Sequence, residues 1–274
     1  MLNQLKTLAY DTADFLTFGR GIRRNFSGTE VRFPARWSRY YPSDYEKETF
    51  AWLEHCCSQG DVALDIGGHL GLFAVALAKK VGQNGRIYTF EPTLRLQAVI
   101  EQVLELNGCQ SVVKLVKKAV SERSGECDFF DTGDAASNAN SLVKTERGQV
   151  NTRVYTVSVD DFVVTEGCRV KLIKIDAEGA EAGILRGAKE TLSAYRPFVH
   201  LAIHPDHLFQ SGESLQSLWN AIESAGYVVT FRGRRESVAE FLAQKYMRDV
   251  ELLPSEISTL PLESIANQAG VQDE

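Results

Sequence analysis

The sequence predicts an α/β fold, with a mostly parallel sheet and helices on both of its faces. From Asp61 onward, short apolar runs alternate with helix-like stretches, which is the pattern of repeated βαβ units. Such units place parallel strands side by side through right-handed crossovers. We therefore expect one large α/β domain over residues 61–233, a helical or irregular lead-in over 1–60, and a helical, fraying acidic tail over 234–274.

Composition narrows the class of protein further. Of the 274 residues, 44% are hydrophobic and 24% are charged, which is typical of a globular chain that buries a core. No apolar run approaches the roughly 20 residues of a membrane span, and the N-terminal stretch lacks the basic leader and apolar run of a signal peptide. The five cysteines have neither an even number nor metal-ligand spacing, which fits a reducing compartment. We therefore expect a cytoplasmic protein without integral membrane association.

Charge bears on the partners of the protein. The net charge of −6 disfavours nucleic acid as a partner, while a homo-oligomer stays open. Six arginines between Arg20 and Arg39 form a basic arm that holds a single acid. This arm and the acidic tail are either solvated faces or surfaces that bind each other, a partner subunit or an anionic ligand.

The first half of the predicted domain holds two strand–helix pairs. Val62–Ile66 is a compact apolar run that ends at glycines, as expected for a buried strand. Leu70–Val81 is apolar nearly all round, as expected for a buried helix. Arg86–Phe90 is the second strand. Thr93–Asn107, with threonine at its cap position and apolar residues at helical spacing, is the second helix.

The second half continues this alternation around one irregular stretch. A β-rich segment covers Val112–Val120, and strand fragments near Cys127–Phe130 and Arg153–Val159 flank a polar loop at Asp131–Asn140. The later elements are, in order, a strand at Val170–Asp176, a helix from Glu178 to Ala194, strands at Phe198–His204 and Tyr227–Phe231, and a helix at Glu236–Tyr246.

A glycine-rich turn follows the first strand, and an acid ends the second. Glycines at a strand-to-helix turn let the backbone approach a bound ligand closely. Glu91, twenty residues beyond the last glycine of the turn, can accept two hydrogen bonds from a ribose diol. These features predict a nucleoside-cofactor site formed by Asp65, Gly67, Gly68, His69, Gly71 and Glu91.

The spacing of the glycines discriminates between nucleoside cofactors. Dinucleotide folds use Gly-x-Gly-x-x-Gly, which seats a pyrophosphate on a helix N-terminus. Here the spacing is Gly67-Gly68-x-x-Gly71, and Asp65 lies two residues before the first glycine. A carboxylate there is poorly placed for a pyrophosphate and suits a cationic amino group or sulfonium. The turn is thus similar to motif I of class I S-adenosylmethionine-dependent methyltransferases, and a nicotinamide-dependent oxidoreductase is the disfavoured alternative.

A second group of ionisable residues ends a later strand. Lys174, Asp176, Glu178 and Glu181 follow one another there, at the sheet edge where open α/β folds place their active sites. Asp176 and His204 both end apolar strands, and either can be the general base that takes a hydroxyl proton. Lys174 alternates with Asp176 on one strand face, so it orients Asp176 or a substrate oxygen, or pairs with Glu178. Glu181 is also explained by capping of a helix.

A metal site and a lid are two further hypotheses. Asp176, Glu178 and His204, with Glu181 and His207, offer oxygen and nitrogen ligands for a divalent metal, but their spacing matches no zinc motif, so metal dependence is not favoured. The polar loop Asp134–Ser141 is either a plain exposed loop or a lid that reaches the adenine through Asn138 and Ser141.

The lead-in is rich in aromatic residues. Its rings either line an acceptor groove or pack the lead-in onto the core, and an amphipathic helix is expected near Tyr45–Cys57. The rings in question belong to Trp37, Tyr40, Tyr41 and Tyr45.

Taken together, the motifs resemble the FkbM family of methyltransferases between Gly60 and Phe231. The similar segments are Asp65 to Gly71 (DIGGHLG), Phe90-Glu91-Pro92, Leu106-Asn107, Ile173 to Glu181 (IKIDAEGAE) and Leu185 to Ala188 (LRGA). The resemblance implies a Rossmann-like seven-stranded sheet, S-adenosylmethionine as methyl donor, and O-methylation of a hydroxyl on a sugar, glycan or small natural product. His69 stands where the family usually has Asn, and Gly68 where it usually has Ala. A cofactor-binding scaffold without turnover is the alternative from another functional class.

Overall fold

The computed structural model of the protein describes residues 19–133, 140–144 and 150–257, together with residues 10, 12 and 15–17. Within these residues the strands are β1 (Ile22–Phe26), β2 (Thr29–Phe33), β3 (Val62–Ile66), β4 (Arg86–Phe90), β5 (Val113–Val116), β6 (Ala119–Val120), β7 (Gly125–Asp131), β8 (Val150–Val157), β9 (Leu172–Ile175), β10 (Phe198–Ile203), β11 (Tyr227–Phe231), β12 (Arg234–Arg235) and β13 (Arg248–Pro254). The helices are α1 (Ala35–Ser38), α2 (Lys47–Cys56), α3 (Leu72–Val81), α4 (Leu94–Leu106), α5 (Val159–Glu166), α6 (Glu181–Arg186), α7 (Lys189–Tyr195), α8 (Pro205–Gln210), α9 (Leu215–Ser224) and α10 (Val238–Leu242).

The main sheet has the strand order β12-β11-β13-β10-β9-β3-β4-β5. The five strands from β10 to β5 are parallel neighbours, whereas β13 runs antiparallel to both β10 and β11. This confirms the predicted α/β fold with a mostly parallel sheet. The resemblance implied seven strands, and that number is wrong for the described residues: the chain turns at Arg232-Gly233 and returns as the two-residue edge strand β12.

Alternate residues of the central strands face two separate cores. In β3, Ala63 packs into one cluster of buried side chains and Leu64 into the other. Helices α2, α3 and α4 cover the first face, and α5, α6, α9 and α10 cover the second. Because both faces are covered, these strands are mostly apolar rather than alternating, which is why they could be predicted. Asp65, Lys174 and His200 are the charged or polar exceptions in β3, β9 and β10.

The acidic tail contributes a strand that the sequence did not predict. Instead of fraying, the chain forms β13, which inserts between β10 and β11 and buries Val250, Leu252 and Leu253. Charged residues interrupt its short apolar run, and its pairing partners lie far away in the chain. The helix expected at Glu236–Tyr246 is the shorter α10, and residues 258–274 lie outside the described residues.

The lead-in is a β-hairpin followed by helices rather than a helical or irregular segment. Strands β1 and β2 join at Ser27-Gly28, where both residues have positive φ, as a two-residue hairpin turn requires. Phe26 stacks on Phe50 of α2 at 6.3 Å. Trp37, Tyr40 and Tyr45 pack, partly buried, against the core. In the structure, therefore, these rings attach the lead-in to the domain.

The helix expected between Glu178 and Ala194 is two helices, α6 and α7. The break is at Gly187, where a Cβ atom would lie 2.7 Å from the backbone oxygen of Ser121. Close approach of the loop after β6 therefore requires glycine at this position. Strands β6, β8 and β7 form a three-stranded sheet that is separate from the main sheet.

Candidate active site

A cavity opens at the carboxyl ends of β3, β4 and β9. It brings together six residues that the sequence singled out: Gly67, His69, Glu91, Ser141, Asp176 and Glu178. Asp65, Gly68, Gly71, Lys174 and His204 do not line it, and Asn138 lies outside the described residues.

The glycine-rich turn is wedged between the ends of two strands. Gly67 has a φ of +86°, and a Cβ atom there would lie 1.9 Å from the backbone oxygen of Asp176. At Gly68 a Cβ atom would lie 2.2 Å from the hydroxyl oxygen of Thr89. The backbone N–H groups of both glycines donate to the carbonyl of Phe90. Side chains are therefore excluded from this stretch, and its backbone forms the cavity wall.

Glu91 is fixed by backbone hydrogen bonds on both carboxylate oxygens. Oε2 accepts from the N–H of His69 at 2.9 Å, and Oε1 accepts from the N–H of Thr93 at 2.8 Å. The side chain is buried, and burial raises the pKa of Glu91 to about 7. Each oxygen keeps a lone pair, so two further donors, such as the hydroxyls of a diol, fit the predicted role.

Asp65 lies beneath the cavity rather than in it. It is fully buried, and its Oδ2 accepts a hydrogen bond from Thr89 at 2.8 Å. Burial raises the pKa of Asp65, and the ammonium of Lys174 counteracts this. The sequence predicted a contact between Asp65 and a cationic ligand, whereas in the structure it supports the turn and pairs electrostatically with Lys174.

A row of polar side chains crosses three neighbouring strands on one sheet face. Lys174 lies directly opposite both Asp65 and His200 in the strand register. Its Nζ atom is 3.3 Å from Oδ2 of Asp176 and lies over the ring of Phe73. Burial lowers the pKa of Lys174, but the surrounding carboxylates outweigh it and keep the lysine charged. Lys174 therefore holds Asp176 in place from below.

Asp176 is the partly exposed member of this group, with 27% of its side chain accessible. Burial raises the pKa of Asp176, and the opposing charges of Lys174 and His204 bring it below the usual range. Its backbone N–H donates to Ile66 at 3.0 Å, which ties β9 to β3 at the cavity floor. A charged carboxylate is thus presented to the cavity beside the glycine-rich turn.

His204 lies among three carboxylates. Its Nδ1 is 2.8 Å from Oε1 of Glu181, and its Nε2 is 3.7 Å from Asp176 and 3.5 Å from Glu178. Burial lowers the pKa of His204, but Glu181 and the other carboxylates outweigh it and raise the pKa to about 9. An imidazole protonated at neutral pH does not accept a proton. The structure therefore does not support His204 as the general base.

Glu178 is held in an unusual backbone conformation. Its φ is +51°, which non-glycine residues rarely adopt. Its carbonyl accepts the hydroxyl of Ser141 at 2.6 Å, and its carboxylate lies 2.9 Å from Nδ1 of His207. A Cβ atom at Gly179 would approach His207 within 2.8 Å. Ser141 therefore fastens the acidic loop and uses its own hydroxyl within the protein.

The lead-in supplies contacts that sequence analysis missed. Tyr41 is buried, and its hydroxyl lies 2.8 Å from Nδ1 of His69. Asp249 of β13 and Thr49 of α2 meet at 3.4 Å near the same face, and burial raises the pKa of Asp249 to about 7. No local motif marks these residues, because they lie far from the turn in sequence.

Comparison with known proteins is consistent with this geometry. A family model described as "Methyltransferase FkbM domain" matches residues 65–229. The 2-O-methyltransferase NoeI of Sinorhizobium fredii (strain NBRC 101917 / NGR234) is 25% identical over 185 residues, which cover 62% of this chain and 74% of NoeI.

Among the described residues, no helix has the length and apolar character needed to cross a membrane.

Solved structures are similar at lower identity. A methyltransferase FkbM from Methylobacillus flagellatus KT is 16% identical with a TM-score of 0.47, over 72% of this chain and 44% of that one. The chain thus spans less than half of the Methylobacillus protein. A putative rRNA-methylase from Clostridium thermocellum is 14% identical with a TM-score of 0.49, over 75% and 93% of the two chains. Because the family model matches residues 65–229, more than half of the 274 residues, the chain belongs to the FkbM methyltransferase family.

Proposed function

We propose that the protein is an S-adenosylmethionine-dependent O-methyltransferase that acts on a hydroxyl of a sugar, glycan or small natural product. One observation carries the proposal: a single cavity extends from Glu91 along the side-chain-free turn at Gly67 to Asp176. The buried carboxylate of Glu91, the backbone wall at Gly67 and the partly exposed carboxylate of Asp176 follow one another along the cavity. This is the order in which a ribose diol, a sulfonium arm and a methyl-accepting hydroxyl would lie.

The residues at the nucleoside end fit the cofactor. Glu91 has lone pairs for the ribose hydroxyls, and the apolar side chains of Phe90, Leu96 and Phe129 line the same cavity and can enclose an adenine. The backbone at Gly67 would hold the amino-acid arm. S-adenosylmethionine bound there would supply an electrophilic methyl group to the acceptor oxygen, with the C–S electron pair staying on sulfur.

Asp176 is the proposed catalytic residue. Its Oδ2 is paired with Lys174. Its Oδ1 lies 3.7 Å from Nε2 of His204 and keeps a lone pair for the acceptor hydroxyl. There it accepts a hydrogen bond, orients the oxygen toward the methyl group, and takes the proton as the new C–O bond forms. Orientation of this kind contributes on the order of 7–11 kcal/mol in favourable intramolecular reactions. Lys174 is a positioning residue, because it acts through Asp176.

The name of the relative NoeI, a 2-O-methyltransferase, supports oxygen as the acceptor atom. The acidic end of the cavity supports a hydroxyl-rich acceptor, since Asp176 and Glu178 both line it and carboxylates accept hydrogen bonds from hydroxyls.

The test is methyl transfer from radiolabelled S-adenosylmethionine to a panel of sugars, oligosaccharides and phenolic or polyketide alcohols. We expect label in at least one hydroxyl acceptor with the wild type, and none with Asp176→Asn. The matched control is Asp206→Asn, an exposed carboxylate at the start of α8, which should transfer label normally. Retained activity in Asp176→Asn would remove this residue from the mechanism.

A further inference from the structure

Three side chains at the acidic end of the cavity leave a gap that suits a metal ion. Asp176, Glu178 and His204 each offer one ligand atom, and among the described residues these atoms all lie within 4.8 Å of one another. Nε2 of His204 is 3.7 Å and 3.5 Å from the two carboxylates, which is long for a hydrogen bond. Zinc, for example, holds nitrogen and oxygen ligands at about 2.0–2.2 Å, so two ligands of one ion lie about 3 Å apart. The distances of 3.7 Å and 3.5 Å are slightly longer than that spacing.

His204 is already oriented as a ligand. Its Nδ1 pairs with Oε1 of Glu181 at 2.8 Å, and the same oxygen accepts from the N–H of Gly179 at 3.0 Å. Glu181 is fully buried at the start of α6, so this orientation is rigid. A carboxylate on the far nitrogen is the usual arrangement behind a metal-binding histidine.

The near nitrogen of His204 faces the gap between the two carboxylates. Its contacts there are Asp176 at 3.7 Å and Glu178 at 3.5 Å, and the residue is only 8% exposed. Together with the two carboxylates, this nitrogen indicates a ligand that accepts lone pairs, namely a cation.

Charge in the cluster also favours a cation. Asp176, Glu178 and Glu181 bring three carboxylates, and Lys174 is paired with Asp176 alone among them. A divalent cation beside these carboxylates would offset negative charge that Lys174 does not balance.

We propose that Asp176, Glu178 and His204 bind a divalent first-row transition-metal ion such as Mn²⁺, with Glu181 as the positioning residue behind His204. One imidazole and two carboxylates suit such ions better than Mg²⁺ or Ca²⁺, which prefer oxygen ligands only. Three protein ligands leave coordination positions open toward the cavity. The ion's use, lowering the pKa of an acceptor hydroxyl, rests on the proposed function, whereas its binding does not.

The experiment is a titration of the full-length, EDTA-treated protein with Mn²⁺, followed by electron paramagnetic resonance. We expect one bound Mn²⁺ per chain, with hyperfine coupling to an imidazole nitrogen. Glu178→Gln and His204→Gln should lose this binding, and Glu181→Gln should weaken it about 10–100-fold. Asp206→Asn is the matched control, because it removes an exposed carboxylate next to the site and should bind as the wild type does.

Several outcomes would overturn the proposal. Absence of bound Mn²⁺ in the wild type would do so, as would bound Mn²⁺ without nitrogen coupling or binding that survives both ligand variants. The nitrogen signal of the wild type decides the matter even if a buried variant fails to fold, which circular dichroism would reveal. Calorimetry with S-adenosylhomocysteine in EDTA separates the two proposals: cofactor binding without Mn²⁺ binding rejects only the metal site, and the converse rejects only the proposed function.

Discussion

Lys174 offers the sharpest test of how the site is held together. Its ammonium lies on the same sheet face as Asp65, directly opposite it in register, and 3.3 Å from Asp176. Replacement by methionine keeps most of the volume and the contact with Phe73 but removes the charge. Asp65, which is fully buried and has one oxygen without a hydrogen bond among the described residues, then loses its cation. Loss of the 3.3 Å pair with Asp176, together with loss of the charge that faces Asp65, costs about 3–5 kcal/mol.

The same reasoning fixes the behaviour of the double variant. Asp65→Asn keeps an oxygen that can accept from Thr89 and removes the charge that Lys174 balances. In the combined variant Lys174→Met/Asp65→Asn no unpaired charge remains on β3. We therefore expect the double variant to lose less stability than the sum of the two single variants, with a coupling of about 1–3 kcal/mol.

The assay is urea unfolding at pH 7, followed by circular dichroism, for all four proteins. Lys114→Met is the matched control, since Lys114 is also a strand lysine paired with one carboxylate, Glu166 at 2.7 Å, but is half exposed. It should cost less than about 1 kcal/mol. A loss at Lys174 no larger than at Lys114, or strict additivity with Asp65→Asn, would refute the reasoning.

Three further predictions concern cofactor binding, measured by calorimetry with S-adenosylhomocysteine. Gly67→Ala should abolish it, because the added Cβ would lie 1.9 Å from a backbone oxygen. The control is Gly60→Ala, since Gly60 has a similar φ but would place its Cβ with nothing within 4 Å, and this variant should bind normally. Equal effects of the two substitutions would contradict the reasoning. Affinity should rise by up to about tenfold from pH 6 to pH 8, because ribose donors favour the ionised form of Glu91, whose pKa in the unliganded protein is about 7; a flat profile, or the same rise in Glu91→Gln, would contradict it. Tyr41→Phe should weaken binding by about 0.5–1.5 kcal/mol, since His69 loses its 2.8 Å partner; unchanged affinity would show that the ring of His69 needs no anchor.

The parts of the fold predicted from the sequence are those with a local signal. Strands β3, β4, β9 and β10 are mostly apolar because both sheet faces are covered. The glycine-rich turn and the acids at the strand ends follow from the same runs, so Glu91 and Asp176 could be placed at one sheet edge before the structure was known.

The parts that were missed depend on pairing across long sequence distances. Strand β13 is recognisable as a strand only through its neighbours β10 and β11. Likewise, the carboxylate that orients His204 belongs to Glu181, which is 23 residues away in sequence. Strand-end position alone made His204 equivalent to Asp176 as a base. The three carboxylates around the imidazole distinguish the two.

The contact between Tyr41 and His69 belongs to the same class. His69 itself could be identified from the sequence, but its partner could not. The two residues are 28 positions apart, and a hairpin and a short helix that the sequence did not predict bring Tyr41 to the turn. Tyr41, which contacts His69, lies outside the residues that the family model matches.

The most direct test of methyl transfer is a calorimetric titration of the purified protein with S-adenosylhomocysteine, with NAD titrated in parallel. We predict that one S-adenosylhomocysteine binds per chain, that NAD gives no binding heat, and that Glu91→Ala weakens the binding by about 1–3 kcal/mol. Glu105→Ala, an exposed acid on α4, should leave it unchanged. Failure of the wild type to bind S-adenosylhomocysteine, or binding of NAD in its place, would contradict methyl transfer as the function of this cavity.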